Sequence, residues 1–358
     1  MSAYALETDG KAEVTAVLRS KYEAVVRHGF DIDSVLYGEI KSWRPTHVVN
    51  AVPQVSKGDV PLFDYIPVTT KNIADVPPIT ADIISPAVTP GHTSIVLSQN
   101  GINIEKSLIA RFPTNPLISS VAYTGATETA PSKIYNDDPD KQKIGAFISP
   151  EVPGDAAEEA ARRYLSIYSP EGKLDVMYEA DVAANRWRKL AYNSSLNPVA
   201  SILSMETPRM LMSRHIIDDL VLPIISEIRA VAEAKGIPLQ PDLVDAVVHQ
   251  APIDSGFKPS MCQDCEKGNM MEIESIVGEP LREGERLGIA MPTLRVVYGI
   301  MKGLQLKVLE EKRIRPPSSM KTTLIDRQDH NTMDTNFMYL ASSEPCAFPD
   351  IVVLPVLT

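Results

Sequence analysis

Lys189, Asn193 and Asn197 recur every four residues in the segment Trp187-Arg188-Lys189-Leu190-Ala191-Tyr192-Asn193-Ser194-Ser195-Leu196-Asn197-Pro198. On a helix, residues so spaced stack nearly one above another on a single face. One titratable ammonium and two amides that both donate and accept hydrogen bonds can grip a polar substrate and protonate a developing oxyanion. Trp187, Leu190 and Leu196 make the rest of that helix suited to burial. Two readings stand: a solvated helix face, the ordinary place for a Lys with two Asn, or the polar wall of a cleft.

Three further segments carry polar groups worth the same question. Ser260-Met261-Cys262-Gln263-Asp264-Cys265-Glu266-Lys267-Gly268 leads to Glu272-Ile273-Glu274-Ser275-Ile276-Val277-Gly278. Taken alone, Glu272 is one charge on an amphipathic helix. Gln99-Asn100-Gly101 and Thr69-Thr70-Lys71 each follow an expected strand, at the carboxyl end where α/β proteins bind ligands. Against that, Asn-Gly is a common turn dipeptide, and Lys71 reads equally well as a surface lysine. Cys262 and Cys265 form a C-x-x-C pair, but no second pair or nearby His completes a zinc site, so no metal is expected. The sequence has no P-loop and no G-x-S-x-G.

The elements that must hold these residues follow from hydrophobic periodicity. Residues 2–7 read as the end of a helix closed by Gly10, 13–18 as a β-branched strand, and 22–27 as a helix stopping before Gly29. Residues 65–69, 94–97, 118–123 and 144–148 are short apolar runs typical of buried parallel strands. The polar stretch 131–143 reads as a loop or hairpin. From about Asp181 the period becomes helical: Ile216, Leu220, Ile224, Ile228 and Val231 form a stripe that ends at Gly236 and Pro238. Residues 271–287 and 293–311 also read as helices. The expected fold class is therefore α/β, with a Rossmann-like first half over residues 1–178 and an all-helical domain over 179–313. Residues 314–358 lack periodicity and are expected to form a poorly ordered tail.

Composition agrees with a two-domain globular chain of 358 residues, 44% hydrophobic and 23% charged. A net charge of −11 argues against a general nucleic-acid or anionic-membrane surface, though not against a local basic pocket for a phosphate. Only 3 Cys, an odd number, fit a reducing compartment. No basic segment followed by an apolar run opens the chain, and no apolar run reaches the about 20 residues a bilayer requires. A cytoplasmic protein is expected.

The Ser-Met, the following Asp and Gly, and the Glu-Ile pattern ending at Gly278, together with the Lys189, Asn193, Asn197 stripe on an earlier helix, resemble the ketopantoate reductase (2-dehydropantoate 2-reductase) family. The resemblance spans about residues 3–312. It implies Lys189 as general acid and Asn193 and Asn197 as holders of substrate oxygens. It further implies that Ser260 contacts the substrate carboxylate and that Glu272 positions the reacting groups. Asn100 would lie beside nicotinamide and substrate, with Gln99 and Lys71 near the cofactor. The strand at 13–18 ends in Arg19-Ser20-Lys21 with no acidic residue, and Arg19 matches the family position for the extra phosphate, so NADPH is favoured over NADH. The implied partner is a small keto acid, the helical domain serves substrate binding and dimerisation, and a homodimer is compatible.

Departures from the family pattern bear on substrate identity: Asn269-Met270 after Gly268, and Val277 before Gly278. A larger one concerns the start. Family members open with a strand, G-x-G-x-x-G and a helix, whereas this chain opens within that helix and contains no G-x-G-x-x-G. The expectation is an incomplete dinucleotide-binding domain, with residues 13–18 beside a vacancy or collapsed against the strand near Tyr65, and weak NADPH binding. The segment 351–357 is a conceivable filler, which Pro355 argues against. Reduction of another keto compound, a non-catalytic relative and a truncated gene model are the rival readings.

Overall fold

The computed structural model describes residues 1–58, 60–169, 174–249, 254–314, 316 and 352–357. Met1–Asn72, Thr80–Arg186 and the strand Val352–Leu357 form one compact unit; Ile73–Ile79 and the described residues from Trp187 to 316 form a second.

Among the described residues the first unit carries twelve strands: β1 (Ala12–Val17), β2 (Phe30–Ser34), β3 (Gly38–Trp43), β4 (His47–Val49), β5 (Tyr65–Val68), β6 (Ser94–Leu97), β7 (Leu117–Ala122), β8 (Thr127–Ala130), β9 (Lys133–Asn136), β10 (Lys141–Ala146), β11 (Asp175–Tyr178) and β12 (Val352–Leu357). Eight of them form a sheet in the order β11-β10-β7-β6-β5-β12-β1-β4. β5, β6 and β7 run parallel, and every residue of β5 and β6 is buried. That explains their unbroken apolar runs, because a strand covered on both faces has no polar side to alternate with. The helix Gly154–Tyr168 lays Ala161, Tyr164 and Tyr168 on the sheet against Val14, Tyr65, Val96, Ile118 and Ile144. Val25 of the helix Tyr22–His28 packs with Ala16, Leu18, Phe30 and Ile32.

A smaller sheet, β3-β2-β9-β8, lies outside the expectations. A hairpin does form near residue 131, but its first arm is β8 upstream, and Ser132 turns the chain at φ 61°. The strand expected at 144–148 starts earlier and ends at Ala146, leaving Ile148 exposed.

The largest correction concerns the end of the chain. β12 fills the place between β1 and β5, antiparallel to both, so residues 13–18 do not border a vacancy. Part of the expected poorly ordered tail is thus a central strand, and residues 315, 317–351 and 358 of it lie outside the described residues. Pro355 is tolerated because the ladder to β5 is confined to Val352 opposite Val68, whereas the ladder to β1 runs from Val352 to Leu357. At Pro355, opposite Val14, the strand is laddered on one side only and behaves as an edge, where proline is allowed.

The second unit is helical, with Val182–Leu203 entering it from the first at Trp187, then Leu222–Ala234, Ser260–Glu266, Glu279–Arg286 and Pro292–Glu311. π turns at Ile217–Val221 and Glu274–Gly278 run into two of these helices. The first shifts the phase of the expected apolar stripe. Ile224, Ile228 and Val231 are fully buried, but upstream Val221 takes the buried position while Ile216 and Leu220 are half-exposed. Among the described residues no helix is long and apolar enough to cross a membrane.

Candidate active site

β12 is antiparallel to β1 and to β5, so β1, β5 and β6 point the same way, and the segments after them leave one edge of the sheet. Arg19 follows β1 and is exposed, Lys71 follows β5, and Gln99 and Asn100 follow β6. Lys71 and Asn100 are half-buried. Lys21 does not add to a basic patch: it pairs with Glu128 at 2.6 Å. Gln99 is buried, and its amide donates to Thr70 Oγ1 at 3.3 Å and Thr80 Oγ1 at 3.1 Å. It ties the two turns together and leaves its Oε1 buried with no partner among the described residues.

The turn that carries Asn100 is held by a residue that sequence reasoning missed. Arg186 is buried, and its guanidinium donates to the carbonyls of Leu97, Gln99 and Gly101 and to Ser119 Oγ. The available signal was a charged residue one turn before Lys189, beside Trp187 on a helix suited to burial.

In the second unit the stripe is not a solvated face. Lys189 is half-buried, while Asn193 and Asn197 are only 5% and 3% exposed. Asn197 Nδ2 donates to Asn193 Oδ1 at 3.3 Å, and Asn197 Oδ1 is left buried with no donor among the described residues. Pro198 has no N–H to give the Ser194 carbonyl one turn back, which loosens the helix directly beside these amides.

Two buried bonds tie the segments that carry the other expected residues to this helix. Ser194 Oγ donates to the carbonyl of Ile276 at 2.7 Å, which seats the π turn after Glu272. Cys262 Sγ donates to the carbonyl of Ala200 at 3.4 Å, which seats the helix begun by Ser260. Glu272 is buried and Ser260 exposed.

Behind the π turn stands a charge cluster that the periodicity did not reveal. Glu274 accepts from Lys302 Nζ at 2.8 Å, Arg282 Nη1 at 2.9 Å and the Tyr298 hydroxyl at 2.9 Å, and Lys302 also bonds Asp75. Burial alone would raise the Glu274 carboxyl, but the bonds from Lys302, Arg282 and Tyr298 outweigh it and hold it below its ordinary value. For Lys302 burial works downward, and the two carboxylates reverse it and hold the ammonium up. A Cβ on Gly278 would stand 2.6 Å from Glu274 Oε2, so a side chain there would have to displace the Glu274–Arg282 pair.

Two groups at the strand ends have the chemistry that a nicotinamide dinucleotide needs, a basic side chain after β1 and the Asn100 amide after β6, next to the buried Gln99 acceptor. The amide cradle that glycines give a pyrophosphate has no counterpart motif in the chain, so no residue is assigned to it. Among the described residues no group of three or more His, Cys, Asp or Glu could hold a metal.

An α/β unit whose parallel strands end at one edge, followed by a helical unit with a buried polar stripe, is the architecture of a two-domain dehydrogenase. Residues 1–149 match the ketopantoate reductase PanE/ApbA family and residues 181–305 its C-terminal part, and the chain belongs to that family. The family is one of NAD(P)-dependent 2-oxo acid reductases. The uncharacterized protein YDL144C of Saccharomyces cerevisiae is 34% identical over 347 residues, 91% of this chain and 96% of that protein. The crystal structure of 2-dehydropantoate 2-reductase from Methylococcus capsulatus superposes with a TM-score of 0.71 at 30% identity, covering 86% of this chain and 93% of that one. D-mandelate dehydrogenase with NADH and anilino(oxo)acetate, at TM-score 0.71 and 19% identity over 86% of this chain and 94% of that one, shares the fold.

Proposed function

We propose that the protein reduces a 2-oxo acid, 2-dehydropantoate or a related keto compound, to the 2-hydroxy acid with NADPH. The observation that carries this reading is the buried Asn193–Asn197 pair on the Lys189 helix, with an amide oxygen left without a donor. A buried acceptor without a partner costs about 1–3 kcal/mol, and a substrate hydroxyl would satisfy it.

Bound NADPH supplies the hydride that reaches the ketone carbon. Lys189 bonds the ketone oxygen and stabilises the negative charge that grows there. It then gives that oxygen its proton, and solvent reprotonates the amine. Asn193 and Asn197 hold substrate oxygens, Ser260 meets the carboxylate, and Glu272, fixed by the Ser194 bond to the turn behind it, orients the reacting groups. Arg19, exposed after β1, binds the ribose phosphate, with Lys71 and Asn100 toward the nicotinamide.

The test is oxidation of NADPH, followed by its absorbance, with 2-dehydropantoate and a panel of other 2-oxo acids. Turnover of at least one supports the proposal. Substrate binding by calorimetry without turnover of any compound overturns it.

A further inference from the structure

Arg186 is 5% exposed and belongs to the first unit, at the point where the Lys189 helix leaves it. Nη1 donates to Gln99 O at 3.1 Å and Gly101 O at 2.9 Å, Nη2 to Leu97 O at 3.1 Å, and Nε to Ser119 Oγ at 2.8 Å. The guanidinium carbon lies 5.1 Å from the centroid of the Phe147 ring. A cation is kept inside a protein only where its donors are met in good geometry. A planar fork of five N–H groups can reach three carbonyls and a hydroxyl at once, whereas an ammonium offers three donors from one point.

The carbonyls it holds stand on both sides of Asn100. A trans peptide is planar, so fixing a carbonyl fixes its whole peptide unit. The turn is therefore pinned before Asn100 at Gln99 and after it at Gly101, and Gly101 takes φ 92°, a backbone state that side chains strain. The same guanidinium also bonds Leu97 of β6 and Ser119 of β7, so the pinning serves the sheet as well as the turn. It sets the direction in which the Asn100 side chain leaves the turn.

We infer that Arg186 is a positioning residue for the reduction proposed above. It holds the Gln99–Asn100–Gly101 turn so that Asn100 meets the nicotinamide end of the cofactor. The role rests on that proposed function, since Asn100 has this duty only in a nicotinamide-dependent reductase. Lys189 follows three residues later on the same helix.

The experiment compares wild type with Arg186→Lys, Arg186→Met and Arg186→Ala. Hydrogen exchange without cofactor should quicken across residues 97–102 in the Met variant, with β5 and β7 unchanged. Turnover with NADPH should fall about 100-fold, the effect of misplacing a reacting group by about 1 Å, while KM for the 2-oxo acid moves far less. Free guanidinium ion should restore part of the turnover of the Ala variant. A purely structural role would reduce the folded fraction without lowering kcat per folded molecule, and would show no such rescue. If the Met variant does not fold, the Lys variant, which keeps charge and length, gives the same reading through exchange and kcat. Wild-type exchange and kcat in the folded variants would overturn this role and leave the proposed function standing. A wild-type protein that reduces no 2-oxo acid overturns both.

Discussion

The hydroxyl of Ser194 donates to the carbonyl of Ile276 across 2.7 Å, with both residues buried. This bond joins the middle of the Lys189 helix to the π turn that follows Glu272. Ser194 itself lies off the Lys189–Asn193–Asn197 stripe, so it supports the arrangement from behind. Ser194→Ala should strand the Ile276 carbonyl in the interior and cost about 1–3 kcal/mol, read from urea unfolding. Turnover should fall as well, because the turn behind Glu272 loses its anchor. A variant as stable and active as wild type would show that the turn is held by other means.

Lys189→Ala should lower kcat by about 100- to 10,000-fold and leave the dissociation constant for NADPH nearly unchanged. The ammonium acts on charge that exists only in the transition state, so its loss appears in turnover and not in cofactor affinity. Stopped-flow turnover and NADPH fluorescence titration separate the two. Near-normal turnover with the best 2-oxo acid would remove Lys189 from the role of acid.

Arg19→Ala should weaken NADPH binding and leave NADH binding little changed. Only NADPH carries the extra phosphate, and Arg19 stands exposed at the end of β1 with no acidic residue beside it in sequence. Parallel titrations with both cofactors decide it, and equal losses would assign the phosphate to another residue.

What could be read in the sequence depended on whether a residue's environment leaves a periodic trace. β5 and β6 were legible as unbroken apolar runs because both faces are covered. The Lys189, Asn193, Asn197 spacing was legible because a helix aligns residues four apart, although only the structure shows that both amides are buried. β3 was not legible, since its residues are mostly exposed and keep no apolar alternation. Arg186 and Lys302 were missed because a charge on a helix reads as solvent-facing unless its buried partners are known, and those partners come from distant segments. The apolar stripe from Ile216 drifted out of register because a π turn adds a residue that no 3.6-residue period anticipates.

The cluster around Glu274 should make stability depend on pH. Its carboxyl is held below the ordinary 4.5, so its stabilising contribution is full above that value and is lost as pH falls through the lower folded value. Lys302 is held above 10.5, so its contribution is full below that value and is lost as pH rises through the folded one. Between those limits Lys302→Met leaves Glu274 and Asp75 without the ammonium and should cost about 3 kcal/mol, as breaking a largely buried pair does. The gap between wild type and variant should narrow at acid pH, once Glu274 is protonated. Urea unfolding at neutral and acid pH measures it, and a gap of constant size would mean that packing rather than charge holds the cluster.

β12 offers the sharpest check on the sheet, because it fills a slot for which sequence reasoning named this segment and then set it aside on account of Pro355. Residues Ala12–Val17 of β1 pair with Val352–Leu357 on one side, and only Thr15–Val17 pair with β4 on the other. Removing residues 352–357 therefore takes away the longer of the two ladders. Val14, Thr15, Ala16 and Val17 are buried, so their backbone groups would lose partners in a place water reaches poorly, at about 1–3 kcal/mol for each group left unmet. A few such losses are comparable with the whole stability of a domain, about 5–15 kcal/mol. The shortened chain should melt at a markedly lower temperature, and hydrogen exchange should rise across residues 12–17 more than in β6 or β7. Pro355→Val should change stability by no more than about 0.5 kcal/mol, since the ladder toward β5 ends at Val352 and a new N–H on that side would find no strand to pair with. Unchanged exchange in β1 after the deletion would show that β12 does not belong between β1 and β5.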